Sequence, residues 1–391
     1  MPPIILVLFL LNILSLAILG TAGWLGWSWY QGEWVADPDG TLSRVREDWR
    51  LWTALALLLW SMLGRFIVTP LLTRRDTVPT RPERGAGRQI EGVDGASLYV
   101  EATGPAGAPT LILTHGWGMD STIWNYAKAA LGQRFRVVSW DLPGTGRSRR
   151  GRANGVSLSA FAANLRVLIA AEAGPVILVG HSIGGMTIQT LARDHPEMLG
   201  REVVGLVLVN TTHINPLRTM ILSPLMQLLR LPVLIPMMRL TILLQPLAWL
   251  SIWQSYLSGM AHLGNRLGFG RFVTRSQLEH TTLLATRNPP GNLARGNLAM
   301  FEWDATAALP TIPVPVLVLG GDKDIITKLE ASRTITDAIP RARLQVVEDV
   351  NHMGFLERAD VYNAAIADFV SEVTAAQAAR AEPAISIPAR A

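Results

Sequence analysis

The most restrictive feature of this sequence is a long apolar segment near its N-terminus. Residues 4–26 read IILVLFLLNILSLAILGTAGWLG and contain no charged side chain. A helix of this length crosses a hydrocarbon core of roughly 30 Å. Four aromatic residues cluster at its C-terminal end, as at a membrane interface: Trp24, Trp27, Trp29 and Tyr30. We predict a retained membrane span. The alternative is a cleaved signal peptide, which the absence of a preceding Lys or Arg disfavours.

A second apolar segment, residues 51–72, follows a loop of mixed charge. Arg65 interrupts it about two thirds of the way along. Arginine is costly at bilayer depth, but near a helix end its side chain can reach the headgroups. We therefore predict a membrane-anchoring helical hairpin within residues 1–73, with the spans 4–26 and 51–72. A buried or interfacial helix is the alternative for the second span.

The charges around these segments predict an orientation and a partner. Five arginines follow the second segment within residues 74–88, and the positive-inside rule then places the C-terminal domain in the cytoplasm. Hydrophobic residues make up 49% of the chain and charged residues 17%, a balance that favours membrane contact. The net charge is +5, but the basic residues do not cluster with aromatic ones. An anionic membrane is thus a simpler partner than nucleic acid.

Beyond an Arg- and Pro-rich linker at 74–88, short apolar runs alternate with helical patterns over residues 89–373. We predict strands at 98–100, 110–113, 136–140, 176–179, 203–209, 316–319 and 344–347. This alternation indicates an α/β fold with a mostly parallel sheet covered by helices on both faces. Residues 213–300 do not alternate and are rich in Leu, Met, Pro and Trp, so we predict a helical insertion there. We expect the Ala- and Pro-rich tail at 374–391 to be disordered.

The sharpest chemical signal is the pentapeptide Gly-His-Ser-Ile-Gly at 180–184, which lies between an apolar strand and a helical pattern. A serine hydroxyl is a poor nucleophile unless a base removes its proton. A sharp strand-to-helix turn exposes the hydroxyl, and the helix N-terminus adds partial positive charge near a developing oxyanion. The chain has no cysteine, which excludes a thiol nucleophile and thiolate metal sites. Ser182 is therefore the candidate nucleophile.

Five motifs in this order resemble the α/β-hydrolase superfamily over residues 89–373. They are HGWG at 115–118, DLPGTGRS at 141–148, GHSIGG at 180–185, GDKD at 321–324 and NHMGFLE at 351–357. The resemblance implies a Ser-His-Asp triad with Ser182 as nucleophile, His352 as base and Asp324 as acid. Asp322 is the competing acid. It also implies an oxyanion hole made by the backbone N–H groups of Trp117 and Ile183, and no need for a metal or organic cofactor.

Two histidines near these motifs have other interpretations. His181 adjoins the nucleophile, but we expect it to point away and to be structural. His115 and Asp120 spell the H-x-x-x-x-D pattern of glycerolipid acyltransferases. Because that pattern overlaps the HGWG loop, we interpret it as a coincidence. We expect residues 141–148 to shape a loop beside the sheet.

The resemblance and the apolar N-terminus together predict a membrane-anchored serine hydrolase of carboxylic esters, with an apolar or lipid-like substrate. The insertion at 213–300 would then lie over Ser182 as a lid, and its apolar runs would line an acyl pocket or form ordinary lid core. Other triad chemistry stays open, namely carbon–carbon bond hydrolysis, perhydrolysis or acyl transfer. A non-catalytic membrane-bound binding module is the alternative of a different class.

Overall fold

The computed structural model describes residues 2–152 and 155–381. Its N-terminal part consists of helix α1 (Pro2–Gln31), an antiparallel hairpin of β1 (Glu33–Ala36) and β2 (Leu42–Val45), and helices α2 (Asp48–Leu63) and α3 (Arg65–Leu72). The helix predicted at 4–26 is thus present and longer than expected. Its stretch Leu6–Gln31 is apolar and long enough to cross a membrane.

The second predicted span, 51–72, falls on two consecutive helices, α2 and α3. The chain bends by 56° between α2 and α3, at Gly64. A Cβ atom at position 64 would lie 2.3 Å from the carbonyl oxygen of Ser258. Only glycine therefore allows the bend to pack this closely on the backbone of the 213–300 insertion.

Arg65, at the start of α3, forms an ion pair within the protein. Its guanidinium Nη1 lies 3.1 Å from Glu279 Oε1, and His262 Nε2 lies 2.8 Å from the other oxygen of the same carboxylate. The hydroxyl of Tyr256 donates a hydrogen bond to Glu279 as well. The ion pair between Arg65 and Glu279 thus connects α3 to the insertion.

Replacing Glu279 with alanine should destabilise the fold by about 2–3 kcal/mol, because Arg65, Tyr256 and His262 all lose their shared acceptor. Chemical unfolding of the full chain in detergent measures this loss. Glu372→Ala is the matched control, since its ion pair with Arg343 is half exposed on both sides and should be worth under about 1 kcal/mol. Equal losses in the two variants would contradict the structural role of Glu279.

Within the described residues, eight strands form one further sheet. They are β3 (Gly87–Glu91), β4 (Ser97–Thr103), β5 (Thr110–Thr114), β6 (Arg136–Trp140), β7 (Val176–His181), β8 (Val203–Val209), β9 (Val316–Gly321) and β10 (Ala342–Val347). The strand order is β10-β9-β8-β7-β5-β6-β4-β3. Strands β5 to β10 pair in parallel, while β3 and β4 are antiparallel at one edge. The predicted mostly parallel sheet is confirmed. Strand β3 was missed because its polar sequence, GRQIE, suits an exposed edge.

Helices cover both faces of this sheet. One face packs on α4 (Asn125–Leu131) and α16 (Ala359–Ala381), and the other on α5 (Leu158–Ala170), α6 (Ile183–Asp194) and α14 (Leu329–Ala338). Successive residues of β5 point to opposite faces of the sheet. Ile112 belongs to the apolar core on the side of α5, α6 and α14, and Leu111 and Leu113 belong to the core on the side of α4 and α16. This alternation is the two-residue period of a strand buried on both faces.

The tail prediction is wrong for residues 374–381, because α16 continues to Ala381. Its last turns read AAQAARA, and alanine has the highest helix propensity of all residues. The remainder of the predicted tail, 382–391, lies outside the described residues.

The insertion at 213–300, hereafter the lid, is helical as predicted. It contains α7 (Pro216–Thr219), α8 (Ser223–Leu229), α9 (Ile235–Leu243), α10 (Gln245–Leu257), α11 (Met260–Arg266), α12 (Arg275–Arg287) and α13 (Pro290–Met300). A π-helical turn, Arg230–Leu234, joins α8 to α9, and the stretch Ser223–Leu243 is also apolar and long enough to span a membrane. The sequence-based prediction assigned this stretch to the lid alone.

Helix α1 packs directly against the lid. The hydroxyls of Ser15 and Ser258 share a buried hydrogen bond of 2.8 Å. A Cβ atom at Gly264 would lie 2.4 Å from Cδ2 of Leu8, so α1 and α11 approach as closely as a glycine permits. The N-terminal half of α1 is thus part of the structure that covers the sheet edge.

Candidate active site

Ser182 lies in the turn between β7 and α6. Its backbone has φ 55° and ψ −119°, a combination that side-chain-bearing residues rarely adopt. Its N–H donates to the Val209 carbonyl at 3.0 Å, and its carbonyl accepts from Thr211 Oγ1 at 2.7 Å. These two bonds hold the strained residue at the carboxyl edge of the parallel strands.

The glycines around Ser182 make this turn possible. A Cβ atom at Gly180 would lie 2.5 Å from the Gly184 carbonyl oxygen, and one at Gly184 would lie 2.2 Å from the Thr114 carbonyl oxygen. Side chains at these positions would collide with backbone, which cannot give way. The sharp strand-to-helix turn predicted from the pentapeptide is therefore present.

Asp324 follows β9 and His352 follows β10, so two neighbouring parallel strands bring them to the same edge. His352 Nδ1 lies 3.0 Å from Asp324 Oδ2, and both side chains are about 1% exposed. The other carboxylate oxygen accepts from the backbone N–H groups of Ile326 and Thr327 at 2.8 and 2.9 Å. The competing Asp322 instead contacts the exposed ammonium of Lys323 at 2.9 Å.

The environment of Asp324 keeps its carboxyl ionised. Burial opposes ionisation, but the charge of the His352 imidazole and the hydrogen bonds from His352 and Asn210 outweigh it and lower the pKa of Asp324 to about 2. The carboxylate therefore faces His352 Nδ1 as an anion at neutral pH. In the neutral form of His352 the single ring proton lies on Nδ1, toward this carboxylate, which makes Nε2 the basic nitrogen of that form.

Nε2 of His352 is buried and has no hydrogen-bond partner in residues 2–152 and 155–381. The Ser182 side chain lies at the same edge of the sheet and is 6% exposed, but its hydroxyl makes no hydrogen bond to this nitrogen. Catalytic hydrogen bonds are often long without substrate and shorten in the complex. The arrangement thus leaves one basic nitrogen with its lone pair unused.

The two predicted oxyanion donors come from separate segments. Trp117 lies in the loop after β5, and Ile183 is the first residue of α6. In the part of the chain that the structure describes, neither backbone N–H donates to a loop, turn or side-chain acceptor. The Trp117 indole Nε1 donates to the Leu293 carbonyl at 3.0 Å, so α13 of the lid holds this loop.

Two positioning residues were not predicted from the sequence. Asn210 Nδ2 donates to Asp324 Oδ2 at 3.0 Å, and its Oδ1 accepts from the Tyr362 hydroxyl at 2.9 Å. Asn351 Oδ1 accepts from the backbone N–H of His352 at 2.8 Å. Asn210 directly follows β8, and a polar residue at the end of a buried parallel strand was the signal that would have identified it.

His181 packs against the imidazole of His352. Its Nε2 donates to the backbone carbonyl of His352 at 3.0 Å, and the two ring centroids are 4.8 Å apart. Burial lowers the pKa of His181 well below its ordinary value, and the charge of His352 acts in the same direction. A neutral His181 thus supports the loop that carries His352, in agreement with the structural role expected for it.

The H-x-x-x-x-D pair is occupied by structural hydrogen bonds. His115 Nε2 accepts from the Leu142 backbone N–H at 3.0 Å, and its Nδ1 lies 2.8 Å from the Gly116 carbonyl. Asp120 contacts the Arg84 guanidinium at 2.6 Å. Neither side chain is available as a base, which is consistent with reading this pattern as a coincidence.

A cavity of about 160 Å³ adjoins the candidate triad. Its lining includes His352, Trp117, Phe269 and Ile326, together with Leu8 from α1. Among the described residues there is no group of three or more His, Asp or Glu side chains that could hold a metal ion. Of the three candidate triad residues, His352 is the one that lines this cavity.

Comparisons with known proteins relate this chain to hydrolases. A family model described as alpha/beta hydrolase family matches residues 111–365. A pimeloyl-[acyl-carrier protein] methyl ester esterase from Nitrosomonas europaea is 28% identical over 261 residues, which cover 67% of this chain and 94% of the relative. An uncharacterized protein from Mycobacterium tuberculosis is 28% identical over 302 residues, or 72% and 80% of the two chains.

Among solved structures, an esterase from Exiguobacterium antarcticum superposes with a TM-score of 0.59 at 20% identity. It covers 73% of this chain and 99% of its own. This likeness shows the fold alone. The family model, however, spans more than half of the sequence and includes Ser182 and His352. This chain therefore belongs to the alpha/beta hydrolase family.

Proposed function

We propose that this protein is a membrane-anchored serine hydrolase that cleaves apolar or lipid-like carboxylic esters through an acyl-enzyme. Its family and its esterase relatives support hydrolase activity in general. The observation that carries the specific proposal is the buried contact of 3.0 Å between His352 Nδ1 and Asp324 Oδ2, which leaves Nε2 without a partner at the sheet edge that holds Ser182.

In the proposed mechanism, His352 Nε2 removes the hydroxyl proton of Ser182 as its oxygen attacks the ester carbonyl carbon. Asp324 orients the imidazole and stabilises the imidazolium that forms. The N–H groups of Trp117 and Ile183 donate to the tetrahedral oxyanion, at roughly 3 kcal/mol each in the transition state. The imidazolium then protonates the departing alcohol, and a water molecule, activated by the same nitrogen, releases the acid from Ser182.

The membrane part of the proposal rests on α1. Its 26-residue apolar stretch would be about 39 Å long at about 1.5 Å per residue, more than a hydrocarbon core requires. Trp24, Trp27 and Tyr30 are well exposed near its C-terminal end, where an interfacial belt would lie. With the N-terminal end of α1 beside the lid, the catalytic domain would lie on the N-terminal, cytoplasmic side.

Activity-based labelling tests the catalytic assignment. We expect an alkyl fluorophosphonate to modify the detergent-solubilised full chain at Ser182, as located by peptide mass spectrometry, because this hydroxyl lies in the strained strand-to-helix turn at the sheet edge that also carries His352. Ser182→Ala should abolish labelling. Ser332→Ala is the matched control, since the buried Ser332 hydroxyl has no partner in the described part of the chain. A chain that is neither labelled nor active on a panel of esters would instead be a non-catalytic binding module.

Product analysis distinguishes hydrolysis from acyl transfer at the same serine. The same ester is supplied with water alone and with an added alcohol acceptor. Free acid as the main product in both cases supports hydrolysis. A new ester that forms at the expense of the acid would contradict this part of the proposal.

A further inference from the structure

Two neighbouring cavities are lined by residues of the lid and of α1. The first, of about 160 Å³, touches His352 and Trp117. The second, of about 170 Å³, lies farther from the triad and is lined by Met237, Met238 and Ile252 of the lid. Each is similar in size to a cavity of about 150 Å³ that admits benzene. Five residues line both cavities and form the partition between them: Leu8, Asn265, Ala285, Leu293 and Asn297.

Helix α1 supplies part of both walls. Leu8 borders the first and the second cavity, and Phe9 and Asn12 border the second. Leu8, Asn12 and Ser15 follow the spacing of one helix face, and Ser15 bonds the lid at Ser258. Leu10, Ile13 and Leu14 lie on the opposite face and are 57%, 49% and 48% exposed. One face of the apolar helix is therefore built into the candidate substrate site.

The same contacts indicate the depth of the site in a membrane. Ser15 lies nine residues beyond Leu6, about 14 Å along the apolar stretch of α1 at about 1.5 Å per residue. If α1 crosses a bilayer, the part of the lid around Ser258 lies within the hydrocarbon layer.

The outer surface of the lid has the composition that this position requires. Seven leucines on α8 to α10 and the turn between them are exposed: Leu225, Leu228, Leu231, Leu240, Leu243, Leu247 and Leu250. Water-soluble proteins rarely expose so much apolar surface in one region. The region borders the helices that line the second cavity, so this cavity would adjoin lipid.

We propose that α1 is a wall of the acyl-binding channel, and that the acyl chain of an ester dissolved in the bilayer enters between α1 and the lid and passes Leu8 to reach Ser182. This inference rests on the proposed function, since it assumes that Ser182 is acylated. It names the substrate class as esters with acyl chains long enough to extend from Ser182 past Leu8 into the second cavity. The membrane segment thus acts in substrate binding as well as in anchoring.

Photo-cross-linking of the unmodified full chain tests the channel directly. The probe is a fluorophosphonate whose long alkyl chain ends in a diazirine, applied in phospholipid vesicles. After it reacts with Ser182, light should cross-link its tail to α1 near Leu8, Phe9 and Asn12. Labelling at Ser182 with cross-links confined to other segments would overturn the channel alone. No labelling and no ester turnover would overturn the proposed function and the channel with it.

Substitutions on the two faces of α1 give a second measurement. Leu8→Trp should lower the ratio of kcat/KM for a palmitoyl ester to that for an acetyl ester by about tenfold or more, since added bulk in an apolar pocket rejects the longer chain. Leu10→Trp, on the outward face, should leave this ratio unchanged. Rates are normalised to the fraction of protein titrated by fluorophosphonate, which corrects for misfolding. If position 8 does not accommodate tryptophan, Leu8→Ala is measured in its place. An unchanged ratio at position 8 would contradict the channel.

Discussion

Replacing Ser182 with alanine should lower kcat for hydrolysis of a p-nitrophenyl acyl ester by about a million-fold, while the protein stays folded. The loss is large because the hydroxyl is the atom that forms the covalent bond, and neither His352 nor the oxyanion donors can replace it. Loss of a triad nucleophile in other serine hydrolases has an effect on the order of 10⁶ in kcat. Alanine at position 182 also keeps the local structure, since its backbone N–H still donates to the Val209 carbonyl and its backbone carbonyl still accepts from the Thr211 hydroxyl.

Steady-state kinetics in detergent, with thermal unfolding measured on the same samples, checks this expectation. Ser332→Ala is again the control and should keep wild-type turnover, because its buried hydroxyl makes no hydrogen bond among the described residues. Turnover by Ser182→Ala within tenfold of the wild type would remove Ser182 from the mechanism, whatever the geometry around it.

The second large effect is expected for Asp324→Asn, which should lower kcat by about 10⁴-fold. The amide cannot stabilise an imidazolium, and its NH₂ group would face His352 Nδ1 and favour the wrong tautomer. The proton of the imidazole would then move to Nε2, the atom that must accept the proton of Ser182. The substitution changes few atoms, so a folded but slow enzyme is the expected result.

Asp322→Asn is the matched control for the acid. Asp322 is two residues away in the same turn, but its carboxylate contacts the exposed Lys323 rather than an imidazole. We expect its turnover to stay within about twofold to threefold of the wild type, since an exposed ion pair contributes under about 1 kcal/mol. If Asp322→Asn were the more damaging variant, Asp322 would be the acid.

Because the pKa of Asp324 is low, this group contributes little to the pH dependence of activity or stability near neutral pH. A carboxyl whose folded-state pKa is lowered to about 2 stabilises the fold above its unfolded value of 3.8, and this contribution is lost only as the pH falls toward 2. Between pH 5 and pH 8 Asp324 stays ionised in the folded and the unfolded chain. Changes of activity or stability within that range therefore have to come from other groups.

The candidate triad could be predicted from the sequence because each member lies in the turn or loop that follows a strand recognisable on its own. The apolar runs before Ser182, Asp324 and His352 mark parallel strands, whose carboxyl ends meet at one edge. The short motifs around these residues then distinguish them from other serines, aspartates and histidines. The mostly parallel sheet could be predicted for the same reason, from the alternation of strand and helix patterns along the chain.

Contacts between distant segments could not be predicted in this way. The Ser258 backbone packs against the bend at Gly64, and Arg65 pairs with Glu279, which lies 214 positions away in the sequence. The bond from Asn210 to Asp324 likewise joins residues 114 positions apart. The sequence around one residue of such a pair does not indicate which distant residue it contacts. Hydrophobic periodicity indicates only which segments are apolar.

The buried bond between Ser15 and Ser258 has a consequence for how the active site opens. Many enzymes admit substrate by swinging a covering element on a hinge. Here the corner between α10 and α11 is fastened to α1 by that bond and to the α2–α3 bend by the close approach of Gly64. Opening the site at this corner would require breaking the Ser15–Ser258 bond. Substrate that enters between α1 and the insertion would therefore leave this corner in place and pass on the side of Leu8, about two helical turns nearer the N-terminus.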